Sequence, residues 1–246
     1  MNHLVLARKY RPKTFDEVVG QDGAVKALKY AIEHNRMAHA LLFCGSRGIG
    51  KTTLARIVAK ALVCEQANKP CNQCTQCKNI DSFNSLDVIE IDGASNTSVD
   101  DVRDLRENAK YQPNLAKYKI FIIDEVHMLS QSAFNALLKI LEEPPAHIIF
   151  IFATTEVHKL PKTILSRCQR YDLKKFATTT IIDNLKAILK KENYIFDEAA
   201  ILLLAKLADG SMRDALSLVE QTLLLGEKVY KESIVAQALE IGRAHV

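Results

Sequence analysis

Apolar positions along the chain change period several times. Val25, Leu28, Ala31 and Ile32 recur at helical spacing, and the unbroken run Ala40-Leu41-Leu42-Phe43-Cys44 then ends on Gly45. Apolar residues three and four apart share one helix face, whereas a short continuous run suits a strand covered on both sides, so this stretch predicts a helix and then a buried strand. Further apolar runs stand at Val88-Ile89-Glu90-Ile91, Ile120-Phe121-Ile122-Ile123 and Ile148-Ile149-Phe150-Ile151-Phe152, separated by amphipathic segments such as Ser98 to Lys110 and Ser130 to Leu141. Strands alternating with helices predict a parallel sheet in an open α/β layer fold, with its ligand beyond the carboxyl ends of the strands. After Lys175 only helical patterns remain: Ile181 to Lys191, Glu198 to Ala208, Met212 to Leu225 and Glu232 to Ala238. The division is expected at Phe176-Ala177-Thr178-Thr179-Thr180, read as a linker with capping threonines.

The last six residues, Ile241-Gly242-Arg243-Ala244-His245-Val246, follow a stop in that pattern and match one reading frame of a common sequencing-library adapter. Residues 241–246 are read as a non-native end and carry no weight in the fold. The expected layout is thus an α/β domain over 1–178 and a helical domain over 179–240.

Composition narrows the classes. The 246 residues are 48% hydrophobic and 25% charged, which excludes a disordered chain and allows one large domain or two smaller ones. No run of about 18 uncharged apolar residues occurs, and Met1-Asn2-His3 lacks the layout of a secretion signal, so no membrane partner and a cytoplasmic location are expected. With 33 basic and 29 acidic residues, the net charge of +4 permits a nucleic-acid partner without demanding one.

Chemistry enters at Gly45-Ser46-Arg47-Gly48-Ile49-Gly50-Lys51-Thr52, which satisfies G-x-x-x-x-G-K-[ST] between a predicted strand and a helix running from Lys51 to about Val63, with Thr53 inside its first turn. Glycines let backbone N–H groups turn toward a β-phosphate, the helix N-terminus adds positive potential, Lys51 reaches β and γ oxygens, and the Thr52 hydroxyl ligates Mg²⁺. The strand Ile120 to Ile123 delivers Asp124 and Glu125 into the same crevice, Asp124 behind the magnesium ion and Glu125 to polarise an attacking water. ATP with Mg²⁺ is the expected cofactor pair. His127 is read as a hydrogen-bonded structural histidine rather than a catalytic one.

Four of the six cysteines fall at Cys64-x6-Cys71-x2-Cys74-x2-Cys77. Four thiolates in one short loop suit tetrahedral, structural Zn²⁺; an iron–sulfur cluster is the weaker alternative, because the ferredoxin run places a fourth Cys followed by Pro further on. Cys44 and Cys168 read as small apolar core residues.

Together, Arg11-Pro12 with Phe15, Val18-Val19-Gly20-Gln21, the loop Gly45 to Thr52, Asp124-Glu125-Val126-His127-Met128-Leu129, Leu141-Glu142-Glu143-Pro144-Pro145, Ser166-Arg167-Cys168 and Gly210-Ser211-Met212-Arg213-Asp214-Ala215 resemble the AAA+ clamp-loader ATPases. The resemblance spans nearly the whole chain. It implies a RecA-like AAA+ P-loop nucleotide-binding domain with an inserted zinc-binding loop, then a small all-helical lid. It further implies a motor subunit that hydrolyses ATP to open a sliding clamp and place it on primed DNA. Its partners would be the other clamp-loader subunits of a hetero-pentamer within a DNA polymerase III assembly, held by a helical collar domain that these residues do not include.

Position by position, the resemblance gives Arg11, Pro12, Val18 and Val19 an adenine-pocket role. It makes Thr155, before Thr154, the sensor of the γ-phosphate, brings Arg213 to that phosphate from the lid, and makes Arg167 the arginine finger for a neighbour's site. The stretch Gly93-Ala94-Ser95-Asn96-Thr97-Ser98 could hold a DNA phosphate without sequence preference, though Ser98 reads equally well as a helix N-cap. Two competing readings stand beside this one: a non-hydrolysing stator-type clamp-loader subunit, and another AAA+ DNA motor such as a branch-migration helicase.

Overall fold

The structure, a computed structural model, describes residues 4–95, 105 and 107–243, with side chains through Leu239. The segment Asn96–Ser98 and most of the helix expected over Ser98–Lys110 lie outside the described residues. Two compact units emerge, an α/β unit of Pro12–Gly45 and Lys51–Leu173, and a helical unit holding the residues from Lys174 onward, those up to Arg11, and Ser46–Gly50.

In the α/β unit, five strands form one sheet in the order β2-β3-β4-β1-β5. They are β1 (Ala40–Cys44), β2 (Val88–Asp92), β3 (Lys119–Asp124), β4 (Ile148–Thr154) and β5 (Gln169–Asp172). Every pairing is parallel. Continuous apolar runs fit this geometry because the central strands are covered on both faces: every residue of β1 and β4 is buried. Register sets Phe121 beside Phe150, their rings stacked at 5.5 Å, and Phe152 follows on the same face at 5.7 Å from Phe150. This parallel arrangement aims the carboxyl ends of β1, β3 and β4 in one direction, where Gly45 follows β1, Asp124 ends β3 and Thr155 follows β4.

The helices whose ends both lie among the described residues are α1 (Leu6–Lys9), α2 (Asp22–Glu33), α3 (Lys51–Val63), α4 (Thr75–Asp81), α5 (Gln131–Glu142), α6 (Lys162–Leu165), α7 (Thr178–Lys191), α8 (Glu198–Leu207), α9 (Met212–Leu223) and α10 (Glu232–Arg243). In the α/β unit, α5 is capped by Ser130, whose hydroxyl accepts from the Ala133 N–H at 3.2 Å, a bond worth about 1 kcal/mol to the helix. Its Phe134, Leu137 and Leu141, spaced to share one face, enter the core with Phe121, Phe150 and Phe152.

The helical unit packs Ile181, Leu185 and Ile188 of α7 with Leu204 of α8, Leu216 and Val219 of α9 and Val235 of α10; Leu6 joins the same cluster. Asp197 and Ser211 cap α8 and α9 through the amides of Ala200 and Asp214. The capping threonines expected at the boundary do not cap: Ala177 holds the N-cap position of α7 without a side-chain bond, and Thr178 to Thr180 form its first turn. The helical pattern also does not stop at Glu240, since the backbone of α10 continues to Arg243. Among the described residues no helix is long and apolar enough to cross a membrane.

Candidate nucleotide site and thiolate cluster

The glycine-rich loop runs from the end of β1 into the first residue of α3. Its middle, Ser46–Gly50, groups with the helical unit, where the Gly48 carbonyl accepts from the Arg213 N–H at 3.4 Å. Gly48 has φ 75°, and a Cβ there would lie 1.9 Å from the Ser211 Oγ, so backbone conformation and space both require glycine. Ile49 is buried, while Arg47 and Arg213 are exposed.

In the α/β unit, Lys51 begins α3 only 5% exposed, and its Nζ donates to the Gly45 carbonyl at 3.0 Å. Burial pushes this ammonium's pKa below the usual lysine value, and the charges of Glu125 and Asp124 oppose the shift. The Thr52 hydroxyl donates to Asp124 Oδ2 at 2.6 Å, joining the start of α3 to the end of β3. A hydroxyl and a carboxylate oxygen meeting at one point are the donor set that magnesium accepts. Thr53 is half-buried in the same turn.

Glu125 follows with φ 44°, in the left-handed region that a residue with a Cβ adopts at a cost. Its Oε2 accepts both the N–H of Thr155, at 3.1 Å, and the Thr155 hydroxyl, at 3.0 Å. Thr154 is fully buried and bonds His127 instead, Oγ1 to Nδ1 at 3.0 Å. The structure therefore brings together Lys51, Thr52, Asp124, Glu125 and Thr155. Arg167 makes its contacts with other groups, donating to Glu142 Oε1 at 2.9 Å and the Thr163 carbonyl at 2.8 Å. Phe15 is buried, Pro12 and Val18 are half-buried, Val19 is 36% exposed, and Arg11 belongs to the helical unit.

One residue has a role that the sequence reading missed. Gly93 directly follows β2, its N–H donates to the Asp124 carbonyl at 2.8 Å, and a Cβ on it would lie 2.7 Å from the Glu125 carbonyl and 2.8 Å from that of Asp124. The small residue lets the two acids' backbone pass close beside β2. A glycine placed directly after a strand was the available signal.

The four cysteines also converge. Sγ atoms of Cys64, Cys71, Cys74 and Cys77 lie within 4.8 Å of one another, and Cys71 and Cys77 are 3.9 Å apart. The edge of a tetrahedral zinc–thiolate site is about 3.8 Å for Zn–S bonds of about 2.3 Å, so the cluster has the required size. Cys77 rides on α4, while amides of Gln73 and Cys74 donate to Cys71 Sγ and pull its pKa down to about 6, which favours the thiolate. Lys60 of α3, 3% exposed, reaches Asn72 Oδ1 at 3.0 Å and Asp81 at 2.5 Å, fastening the module to the helix that begins at Lys51. Cys44 is buried, and burial pushes Cys168, packed against the main core, up to about 12, so both behave as apolar core thiols.

Sheet order, glycine-rich loop and paired acids define a P-loop nucleotide-binding fold of the RecA-like type, followed by a helical lid. Solved structures of Thermotoga maritima RuvB share the fold: the Holliday junction branch migration motor aligns with a TM-score of 0.69 at 20% identity, over 94% of this chain and 72% of that one. At that identity the likeness concerns the fold alone. A family model for the DNA polymerase III delta subunit matches residues 20–177, and one for the ATPase lid domain of the DNA polymerase III clamp loader subunit matches residues 180–228. The chain belongs to the clamp-loader ATPase family of DNA polymerase III. It is 49% identical to Bacillus subtilis DNA polymerase III subunit tau over 94% of its length, and 48% identical to Escherichia coli subunit tau over 92%. It spans 41% and 36% of those relatives.

Proposed function

We propose that the chain is the ATP-hydrolysing motor portion of a bacterial clamp-loader subunit, binding Mg-ATP on Gly45–Thr53 and coupling hydrolysis to placement of a sliding clamp on primed DNA. The observation that carries this reading is the meeting of Thr52 with Asp124, beside a buried Lys51 and a Glu125 clamped by Thr155. Lys51 would hold β and γ oxygens, and Thr52 with Asp124 would hold magnesium, which supplies charge neutralisation on those oxygens when bound. Glu125 would accept a proton from the water whose oxygen forms the new bond to the γ-phosphorus as the bond to the β–γ bridging oxygen breaks. Thr155 would report the γ-phosphate to Glu125, since its hydroxyl already touches that carboxylate. Arg213 would approach the phosphate from the lid, and Arg167 would serve a neighbouring subunit's site within a hetero-pentamer, exchanging Glu142 for phosphate. Arg11, Pro12, Val18 and Val19 are proposed for the adenine, with the half-buried Val18 offering it an apolar surface. The four cysteines would hold zinc, with no open position for substrate and hence a structural role. The domain limits proposed are 1–178 for the nucleotide domain and 179–240 for the lid, in a protein that works in the cytoplasm. The stretch Gly93 to Ser98 is proposed for a sequence-independent DNA-phosphate contact, alongside the packing role of Gly93 described above.

A second reading is the stator-type subunit, favoured by the delta-subunit description of the model matching residues 20–177. Turnover separates the two. The full-length subunit, assembled with its partners, should hydrolyse ATP, faster with clamp and primed DNA present. A complex that binds ATP without turnover supports the stator.

A further inference from the structure

The 3₁₀ turn Val126–Met128 directly follows Glu125 and carries His127, whose side chain is 5% exposed. A buried imidazole must satisfy both ring nitrogens, and it has partners on each side. Nδ1 lies 3.0 Å from the Thr154 hydroxyl and 3.4 Å from Glu125 Oε2, while Nε2 lies 3.3 Å from Glu156 Oε1. The Thr154 hydroxyl also accepts the Glu156 N–H at 3.0 Å, and Lys159 also donates to Glu156 Oε1 at 2.9 Å. Three consecutive residues at the end of β4 thus surround the ring and the glutamate together: Thr154 holds His127, Thr155 holds Glu125, and Glu156 takes the far nitrogen. Glu125 needs such support because its own backbone sits in the left-handed region. The contacts from Thr155 and His127 fall on the same oxygen, Oε2.

We propose that His127 is a positioning residue for Glu125: through Nδ1, shared with Thr154, it fixes the carboxylate's rotation so that one oxygen is anchored and the other is aimed at the attacking water. The inference rests on the reading of Glu125 as the group that activates water. It acts on orientation, so its loss lowers kcat with little effect on ATP affinity, and the two ends of the ring have different consequences. An asparagine side chain can place a polar atom near the Nδ1 position, facing Thr154 and Glu125; a glutamine reaches the Nε2 position, facing Glu156.

The test measures ATP turnover and ATP affinity of the full-length subunit, assembled with its partners, for His127→Ala, His127→Asn, His127→Gln and Thr154→Val. Misplacing a catalytic carboxylate costs about tenfold to a hundredfold in rate, so His127→Ala and Thr154→Val should lose about that much kcat, with KM for ATP within about threefold of wild type. His127→Asn should recover most of the loss and His127→Gln should not. Wild-type turnover in His127→Ala, recovery by glutamine alone, recovery by neither amide, or a change confined to KM overturns the proposal. Should His127→Ala fail to fold, the contrast between the two amides and the Thr154→Val rate decide it. Glu125→Gln, measured alongside, separates the two layers: wild-type turnover there defeats the reading of Glu125 itself, whereas a dead Glu125→Gln with unaffected His127 variants defeats only the positioning role.

Discussion

Replacing Lys51 by alanine removes a cation that the fold has already desolvated. The side chain is 5% exposed, its amine donates to the Gly45 carbonyl, and burial disfavours its charge while Glu125 and Asp124 support it. Two charge-assisted hydrogen bonds to phosphate oxygens, each worth roughly 1.5–3 kcal/mol, give about 3–6 kcal/mol of binding free energy. That corresponds to roughly 10²- to 10⁴-fold in Kd. Calorimetric titration with Mg-ATP measures it, with Glu125→Gln as the companion because its amide keeps the carboxylate's shape and should leave affinity near wild type. A proton signature follows from the same burial. The lysine's pKa in the free protein is lowered, and bound phosphates restore the charged form, so ATP binding should take up protons as the pH rises through that lowered pKa, and affinity should fall over the same range. Repeating the titration in buffers of different ionisation enthalpy reads the uptake. An affinity loss below tenfold in Lys51→Ala, or equal losses in both variants, refutes the assignment.

Freshly purified reduced protein should contain stoichiometric zinc by metal analysis, and a strong chelator should lower Tm while leaving the phosphate site's residues in place; iron with visible absorbance, or no metal, contradicts this. Gly93→Ala should lower turnover about tenfold or more with ATP affinity nearly unchanged, because the added methyl must push back the backbone of Asp124 and Glu125; unchanged turnover shows that the strand end yields. Arg167→Ala in the assembled full-length subunit should lose about 10³- to 10⁵-fold in hydrolysis, and mixing it with Lys51→Ala subunits should restore part of the rate; no effect in the assembly removes the trans role.

Legibility in the sequence followed burial. Four strands were readable because β1 is apolar throughout, β3 and β4 carry the unbroken apolar runs Ile120 to Ile123 and Ile148 to Ala153 that a sheet covered on both faces demands, and β2 keeps Val88, Ile89 and Ile91. The fifth, Gln169-Arg170-Tyr171-Asp172, was not, since an edge strand needs only Tyr171 to turn inward and its other three residues are exposed. Helix α4 was hidden in the same way: Thr75-Gln76-Cys77-Lys78-Asn79-Ile80-Asp81 has too short an apolar face to show a period. At the site, the loop Gly45–Thr52 and the acids Asp124 and Glu125 were legible because adjacent residues carry the chemistry. The pairings of Glu125 with Thr155, His127 with Thr154 and Gly93 with Asp124 were not, because each joins the ends of different strands across 27 to 31 positions. Leu6 shows the same limit on a larger scale, packing among α7, α8 and α9 more than 170 residues away.

The central claim is that Glu125 converts a bound ATP into a hydrolysed one. The direct measurement is the chemical state of nucleotide retained by the assembled full-length subunit after incubation with labelled Mg-ATP, clamp and primed DNA. Glu125→Gln should retain intact triphosphate while wild type, at equal occupancy, yields diphosphate and phosphate. Diphosphate released at the same rate from both would contradict the account.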